Sequence, residues 1–325
     1  MNGTFFGPVG NMLRPIDIWH CAIVKKAAHE LRQEDLVPEN LVWLPRPDGS
    51  FAFRADPFGL WHEGRLHCFV ERFDYRNLKG CIELLVYDAQ WNLLEKEVVL
   101  SRPWHLSYPF IVRAEGQVWM LPEARRSGEL TLYRARAFPR GWEPVAKITG
   151  AGHGVDGTLL FHEGRWWLFY AIVRRGRDPA SELHVAFADS LAGPWWPHPM
   201  NPVRTGLANT RPAGSPIVQD DGTIALPVQD GSRTYGGAVR RLRIASLTDS
   251  QFEAIDSDWL APAPALDPFV GGLHTVSAAG EVSLIDCKFV DRSIPGTLTW
   301  RLGRMAERRR TRAARKALRF SSPLM

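Results

Sequence analysis

One unit is written five times along this chain. Residues 56–71, 108–123, 156–170, 214–229 and 274–286 each carry a polar start, a short apolar strand, a turn ending in glycine and a second strand. Gly64, Gly116, Gly164, Gly222 and Gly280 fall where a tight hairpin demands a positive φ. A third strand recurs as Glu83-Leu-Leu-Val-Tyr-Asp, Glu129-Leu-Thr-Leu-Tyr-Arg and Glu182-Leu-His-Val-Ala-Phe, with Arg241-Leu-Arg-Ile-Ala a looser copy. The unit returns about every 45–60 residues, the length of a four-stranded propeller blade. A β-sandwich also supplies short strands, but nothing in it calls for five copies of one unit. The pattern predicts an all-β fold, a five-bladed β-propeller over residues 41–295.

Two flanks stand outside the repeat. Cys21-Ala-Ile-Val-Lys-Lys-Ala-Ala-His-Glu-Leu-Arg reads as an amphipathic helix within an N-terminal helical extension, residues 1–40. Leu41-Val-Trp-Leu is expected to close the ring by completing the last blade. Residues 296–325 read as a basic helix or tail ending before Pro323. The formal charge of +5 is concentrated there: nine basic residues between Trp300 and Met325 face one acid, Glu307, and removing that net +8 leaves −3 for the rest. Cys21, Cys68, Cys81 and Cys287 are dispersed without a CxxC pair, which argues for buried thiols rather than zinc or disulfides. No apolar run reaches the roughly 18–20 residues of a membrane span. The start of the chain lacks the basic and apolar regions of a secretory signal, so a cytoplasmic location is expected, with peripheral membrane contact through the tail.

Radial repetition turns spacing into convergence. The first strand of each blade lines the axis, so Asp56, Tyr108, Asp156, the stretch from Arg211 to Gly214, and His274 are expected at one mouth. The second strand runs back, returning Glu71, Glu123, Tyr170, Gln229 with Asp230, and Asp286 to the same face. Two carboxylates across a sugar can serve as acid and base, and crowding them raises one pKa. Asp56, Asp156, Glu71 and Glu123 are therefore the candidate catalytic residues. Tyr108, Arg211, Gln229, Asp230, His274 and Trp104 are candidates for substrate binding, Trp104 by stacking on a sugar face. The competing reading makes each acid a cap for backbone N–H groups and His274 a packed axial side chain. Most of the 13 tryptophans are expected to fill the wedges between blades.

Arg54-Ala-Asp-Pro-Phe, Val155-Asp-Gly-Thr, Asp189-Ser-Leu-Ala-Gly-Pro-Trp and Gly272-Leu-His-Thr resemble the blade motifs of glycoside hydrolase family 43, the arabinanase and β-xylosidase type. The resemblance implies that Asp56 is the general base, that Asp156 orients the acid and adjusts its pKa, and that His274 sits on the axis, where an ion such as Ca2+ can lie beside it. No other cofactor or metal is expected. That family places a glutamate before Gly-Pro in the fourth blade, where this chain has Arg211-Pro-Ala-Gly-Ser-Pro. Either Glu71 or Glu123 substitutes, or the site is not a standard hydrolase. A closer resemblance, over nearly the whole chain, rests on His105-Leu-Ser-Tyr-Pro-Phe, Met120-Leu-Pro-Glu, Phe138-Pro-Arg-Gly-Trp, Arg211-Pro-Ala-Gly and Gln229-Asp. These are similar to the N-terminal propeller domain of glucosamine inositolphosphorylceramide transferases. In those proteins glycosyl transfer is attributed to a separate domain that has no counterpart in this sequence.

Three functions follow as expectations. The first is a carbohydrate-active, glycoside hydrolase-like enzyme acting on a sugar or sugar conjugate at the mouth. The second is a non-catalytic module that binds a glycan or glycolipid for a partner transferase. The third is a biosynthetic enzyme with the same site redirected to non-sugar chemistry. The basic segment from Arg301 to Arg319 suits a membrane surface; nucleic acid is not expected, since neither interleaved aromatics nor a binding module accompanies it.

Overall fold

The computed structural model describes residues 13–148, 151–172 and 182–320, with side chains through residue 310. Residues 1–12, and the side chains of Arg312, Arg315, Lys316 and Arg319, lie outside the described set. Five antiparallel sheets form the five blades. Blade one runs Ala52–His62, Arg65–Asp74, Lys79–Tyr87, Leu93–Leu100 from axis to rim. Blade two runs Ser107–Ala114, Gln117–Glu123, Leu130–Ala137, Arg140–Ile148. Blade three has Gly154–His162, Arg165–Ile172 and Glu182–Ala188, edged by the short pieces Trp196–Pro197 and Arg204–Thr205. In blade four the inner strand is broken into Arg211–Pro212 and Ile217–Val218, followed by Ile224–Asp230, Ala238–Leu247 and Phe252–Leu260. Blade five joins the two ends of the chain: Leu273–Ala279, Val282–Asp291, then Ile16–Val24 and Leu41–Trp43.

The helix expected over residues 21–32 is not formed. Ile16–Val24 is a strand paired along its whole length with Val282–Asp291, from Ile16 opposite Asp291 to Val24 opposite Ser283. Its last four residues, Cys21, Ala22, Ile23 and Val24, are fully buried. A strand covered on both faces has no alternation to reveal it, and helical periodicity started at Cys21 cuts it in half. The open edge of a sheet offers more than the helix propensity of Ala and Lys. Leu41–Trp43 then pairs with this strand and completes the ring as expected.

The glycines expected in the hairpins do have positive φ, from +60° at Gly280 to +80° at Gly222. Each wedge between neighbouring blades is filled by its own apolar cluster. Phe69, Leu84 and Leu106 meet Val118 and Met120 between blades one and two. Trp119 and Leu121 meet Trp166 and Leu168 between two and three. Trp167 and Phe169 meet Leu226 and Leu242 between three and four. Val239 and Leu260 meet Leu273 and Ile285 between four and five. Cys21, Ile23 and Leu284 meet Leu66 and Cys68 to close the circle. Each large side chain so buried contributes about 1.5–3 kcal/mol.

A bulge interrupts the inner strand at the same height in four blades: between Ala55 and Phe58, Ser107 and Phe110, Val155 and Thr158, and Leu273 and Thr275. The residues held there include Asp56, Tyr108 and Asp156, at φ +49°, +43° and +53°; Gly214 occupies the place in blade four at +137°. A bulge re-aims a side chain, and a left-handed φ on a non-glycine residue stores about 1 kcal/mol or more of strain.

The basic segment takes the helical form, Ile294–Phe320. Its Gly303 packs on the Tyr75 carbonyl, where any Cβ would collide, and Glu307 pairs with Arg126 and Arg304. These contacts seat it over the 75–78 turn of blade one and beside the end of blade two's second strand. Among the described residues no helix is long and apolar enough to cross a membrane.

Candidate functional site

The bulges aim two clusters at the mouth. Arg211 grips Asp156 with two N–H donors, Nε closely and Nη2 at 3.2 Å. Its Nη2 also lies 3.7 Å from Glu123 Oε2, and its guanidinium sits 5.0 Å over the ring of Tyr235. Burial first, then the Asp156 charge and a hydrogen bond between the two carboxyl groups push Glu123 up to about 8, against the pull of Arg211. Glu123 thus holds a proton at neutral pH, shared toward Asp156. Burial disfavours charge on Arg211, but Asp156 and Tyr235 outweigh it and hold the guanidinium well above its usual range.

The second cluster belongs to blades one and five. Asp286, fully buried, accepts from the backbone N–H of Asp56 at 2.8 Å, His274 at 3.2 Å and Thr275 at 2.9 Å. His274 Nδ1 lies 2.7 Å from the same carboxylate, and His274 Nε2 lies 3.6 Å from Asp56 Oδ1. Asp56 further accepts from the Tyr108 N–H at 3.1 Å and the Thr275 hydroxyl at 3.0 Å. Burial raises Asp56 to about 6; His274 opposes this, and Asp286 and Asp156 add to it. For His274, burial acts downward, yet Asp286 and Asp56 prevail and lift it above its ordinary value.

Asp56, His274 and Asp286 each offer a ligand atom within 4.8 Å of the others, the one such group among the described residues. Oxygen donors suit a hard cation such as Ca2+. Both Asp286 oxygens accept N–H bonds, and the Nδ1 of His274 carries the proton that meets Asp286. That proton leaves His274 Nε2 turned toward Asp56 Oδ1, and an ion held there would take Nε2 and the Asp56 carboxylate as its ligands, with Asp286 bracing the ring from behind.

Glu71 is pushed well above the carboxylate range by burial, then by Asp56 and Glu123. His105 Nδ1 accepts from the Gly80 N–H at 2.9 Å, so its proton resides on Nε2, 3.5 Å from Glu71 Oε1. Tyr108 is fully buried; its hydroxyl accepts the Gly214 N–H at 2.7 Å and meets Thr158 at 2.8 Å, which binds blades two, three and four together. Gln229 is buried directly opposite Arg211 in blade four. Asp230 turns away, binding the Ser232 N–H at 2.9 Å and holding the loop that carries Tyr235. Trp104 packs on the apolar wedge between blades one and two rather than joining either cluster.

Three neighbours of the site escaped the sequence reading. Trp19 stacks on His274 with ring centroids 3.7 Å apart. Lys288, fully buried, donates to Asp17 at 3.0 Å and to Thr234 at 3.2 Å, 5.3 Å from the Trp19 ring. Tyr235 closes over this group edge-on to His274, at 5.5 Å. Trp19 was hidden by the assumed helix, and Lys288 and Tyr235 lie outside the repeated unit.

A cavity of about 360 Å³ opens beside the first cluster. Glu123 lines it together with Tyr75, His105, Arg125 and, from the C-terminal helix, Trp300 and Arg304. The cavity thus joins a protonated carboxyl to aromatic and cationic walls.

Residues 2–264 match the family described as glucosamine inositolphosphorylceramide transferase 1, N-terminal. The chain is 33% identical over 208 residues to glucosamine inositolphosphorylceramide transferase 1 of Oryza sativa subsp. indica, covering 62% of this chain and 28% of that protein. The Arabidopsis thaliana protein of the same name is 30% identical over 210 residues, 63% of this chain and 27% of that one. The chain therefore spans little more than a quarter of these relatives. Among solved structures, a family 117 glycoside hydrolase from Zobellia galactanivorans superposes with a TM-score of 0.53 at 15% identity, covering 75% of this chain and 87% of that one. The α-L-arabinofuranosidase PaAbf62A from Podospora anserina, in complex with cellotriose, gives 0.55 at 10% identity, covering 75% and 93%. These two likenesses concern the fold.

Proposed function

Since this chain belongs to the family of glucosamine inositolphosphorylceramide transferase 1 N-terminal domains, we propose that its mouth binds the sugar part of a glycoconjugate and carries out glycosidase-like acid–base chemistry on it. The observation that carries this reading is the pair of buried carboxyls at the mouth, Glu123 held above its usual range by burial and by the Asp156 it faces, Asp56 raised by burial but drawn back by His274. One stays protonated at neutral pH and the other is largely ionised, the division of labour that glycosyl transfer to water requires. Glu123 faces the cavity and takes the role of acid, giving its proton to the departing oxygen. Asp156 holds that proton in place beforehand, and Arg211 balances the negative charge left behind. Asp56, oriented by Tyr108 N–H and Thr275, takes the role of base toward water, and His274 balances its charge. Trp300 and Tyr75 offer aromatic faces to the sugar's C–H surfaces.

A second reading, a glycan-binding module without catalysis, is favoured by Arg211. It stands in the fourth blade with two of its donors fixed on Asp156, the posture of a structural clamp. Titration calorimetry with sugar phosphates and glycolipid head groups, run beside product analysis for wild type, Asp56→Asn and Glu123→Gln, separates the two. Turnover lost in both variants with binding retained supports catalysis. Binding without turnover in any of the three leaves the module. Neither binding nor turnover with any sugar refutes both.

A further inference from the structure

Ile294, Leu298, Leu302 and Met305 are 62%, 50%, 64% and 52% exposed. Spaced four, four and three residues apart, they fall on one side of the C-terminal helix. The opposite side carries the buried Gly296, Thr297, Gly303 and Glu307, which seat the helix on the propeller. A soluble helix buries its apolar stripe; this one turns its stripe away from the body and buries small and polar residues instead. Arg308 and Arg309 follow the stripe on its exposed side, and the helix continues through further basic residues to Phe320.

We infer that this helix is an interfacial membrane anchor that lies in the plane of an anionic lipid surface, its leucines and methionine in the acyl boundary and its arginines against the head groups. The occupant follows from the pairing of an exposed apolar stripe with positive charge along one face, the composition of helices that lie in a bilayer interface. A second copy of the chain would bring arginines against arginines. The docking also sets a position: the roughly 360 Å³ cavity is walled on one side by Trp300 and Arg304 of the same helix, so the anchor lies beside it. The inference stands apart from the catalytic reading, because it concerns only the outward side of the helix.

The test is flotation of the full chain with vesicles of phosphatidylcholine, with and without phosphatidylserine. Wild type is expected to float with the phosphatidylserine vesicles and only weakly with the neutral ones. Leu298→Ser, Leu302→Ser and Met305→Ser combined should weaken flotation about tenfold or more. Arg308→Glu with Arg309→Glu should cut the preference for phosphatidylserine about tenfold or more, and a preference equal to wild type overturns the inference. These side chains project from the body, so an unchanged thermal transition certifies the fold of each variant. Absence of wild-type flotation overturns the inference, as does a triple-serine variant that floats like wild type. A dimer detected by light scattering, abolished by the serines and indifferent to vesicles, also overturns it and assigns the stripe to a second copy.

Discussion

Glu123 makes the mouth sensitive to pH in a definite direction. Its folded pKa of about 8 lies above the ordinary 4.5, so between those values the folded state keeps a proton that the unfolded chain has lost. Its contribution to stability is present below pH 4.5 and is lost as the pH rises toward 8. Glu123→Gln keeps the shape and removes the titration. The difference in melting temperature between Gln variant and wild type should therefore grow in the variant's favour from pH 5 to 8.5, by a few degrees. Its neighbour is tested by urea denaturation. Arg211→Met leaves Asp156, 1% exposed, without its partner and should cost about 3–5 kcal/mol, whereas Arg211→Met with Asp156→Leu should recover a large part. A recovery of nothing would mean that Arg211 stabilises through Tyr235 and Glu123 instead. Asp56, Asp156, Glu71, Glu123, Arg211 and His274 could be gathered on paper because all six keep register with the repeat. The stacking of Trp19 and the buried amine of Lys288 could not, since each is set by blade five's composite make-up from the two ends of the chain.

Among the elements, the bulged inner strand is the device on which the site depends, and blade four shows its tolerance. Gly214 sits at φ +137° where a Cβ would run into the Val276 backbone, while Gly222 turns its hairpin at +80° in open space. Gly222→Ala should lose only about 1–2 kcal/mol and a few degrees of melting temperature. Gly214→Ala should abolish soluble expression or lower stability by more than about 4 kcal/mol. Equal effects would show that the inner strand is not under the constraint described. Strand existence was legible wherever a hairpin glycine punctuated it. The strand Ile16–Val24 was not, because its neighbours along the sequence are Lys, Ala and His, and its true neighbours are some 260 residues away.

At the scale of the whole molecule, blade five is a clasp made of both ends of the propeller. A protease site placed within residues 46–50, between Leu41–Trp43 and blade one, tests how far that clasp holds the ring. Cutting there should leave the native near-UV circular dichroism intact, since the nine paired positions of Ile16–Val24 keep the fragment in place. The urea midpoint should fall, and refolding should become dependent on protein concentration, because closure turns from an intramolecular into a bimolecular event. Refolding independent of concentration would show that the other four blades fold without the clasp.

That clasp also orders events during synthesis. Among the described strands, Ile16–Val24 is synthesised before all the others, yet the edge that receives it, Val282–Asp291, is the last of them to be made. At roughly 5–20 residues per second, an apolar strand waits tens of seconds with no partner. Until that edge is made the strand stays open to aggregation or to a holding chaperone, so its docking is the step that ends the chain's exposure.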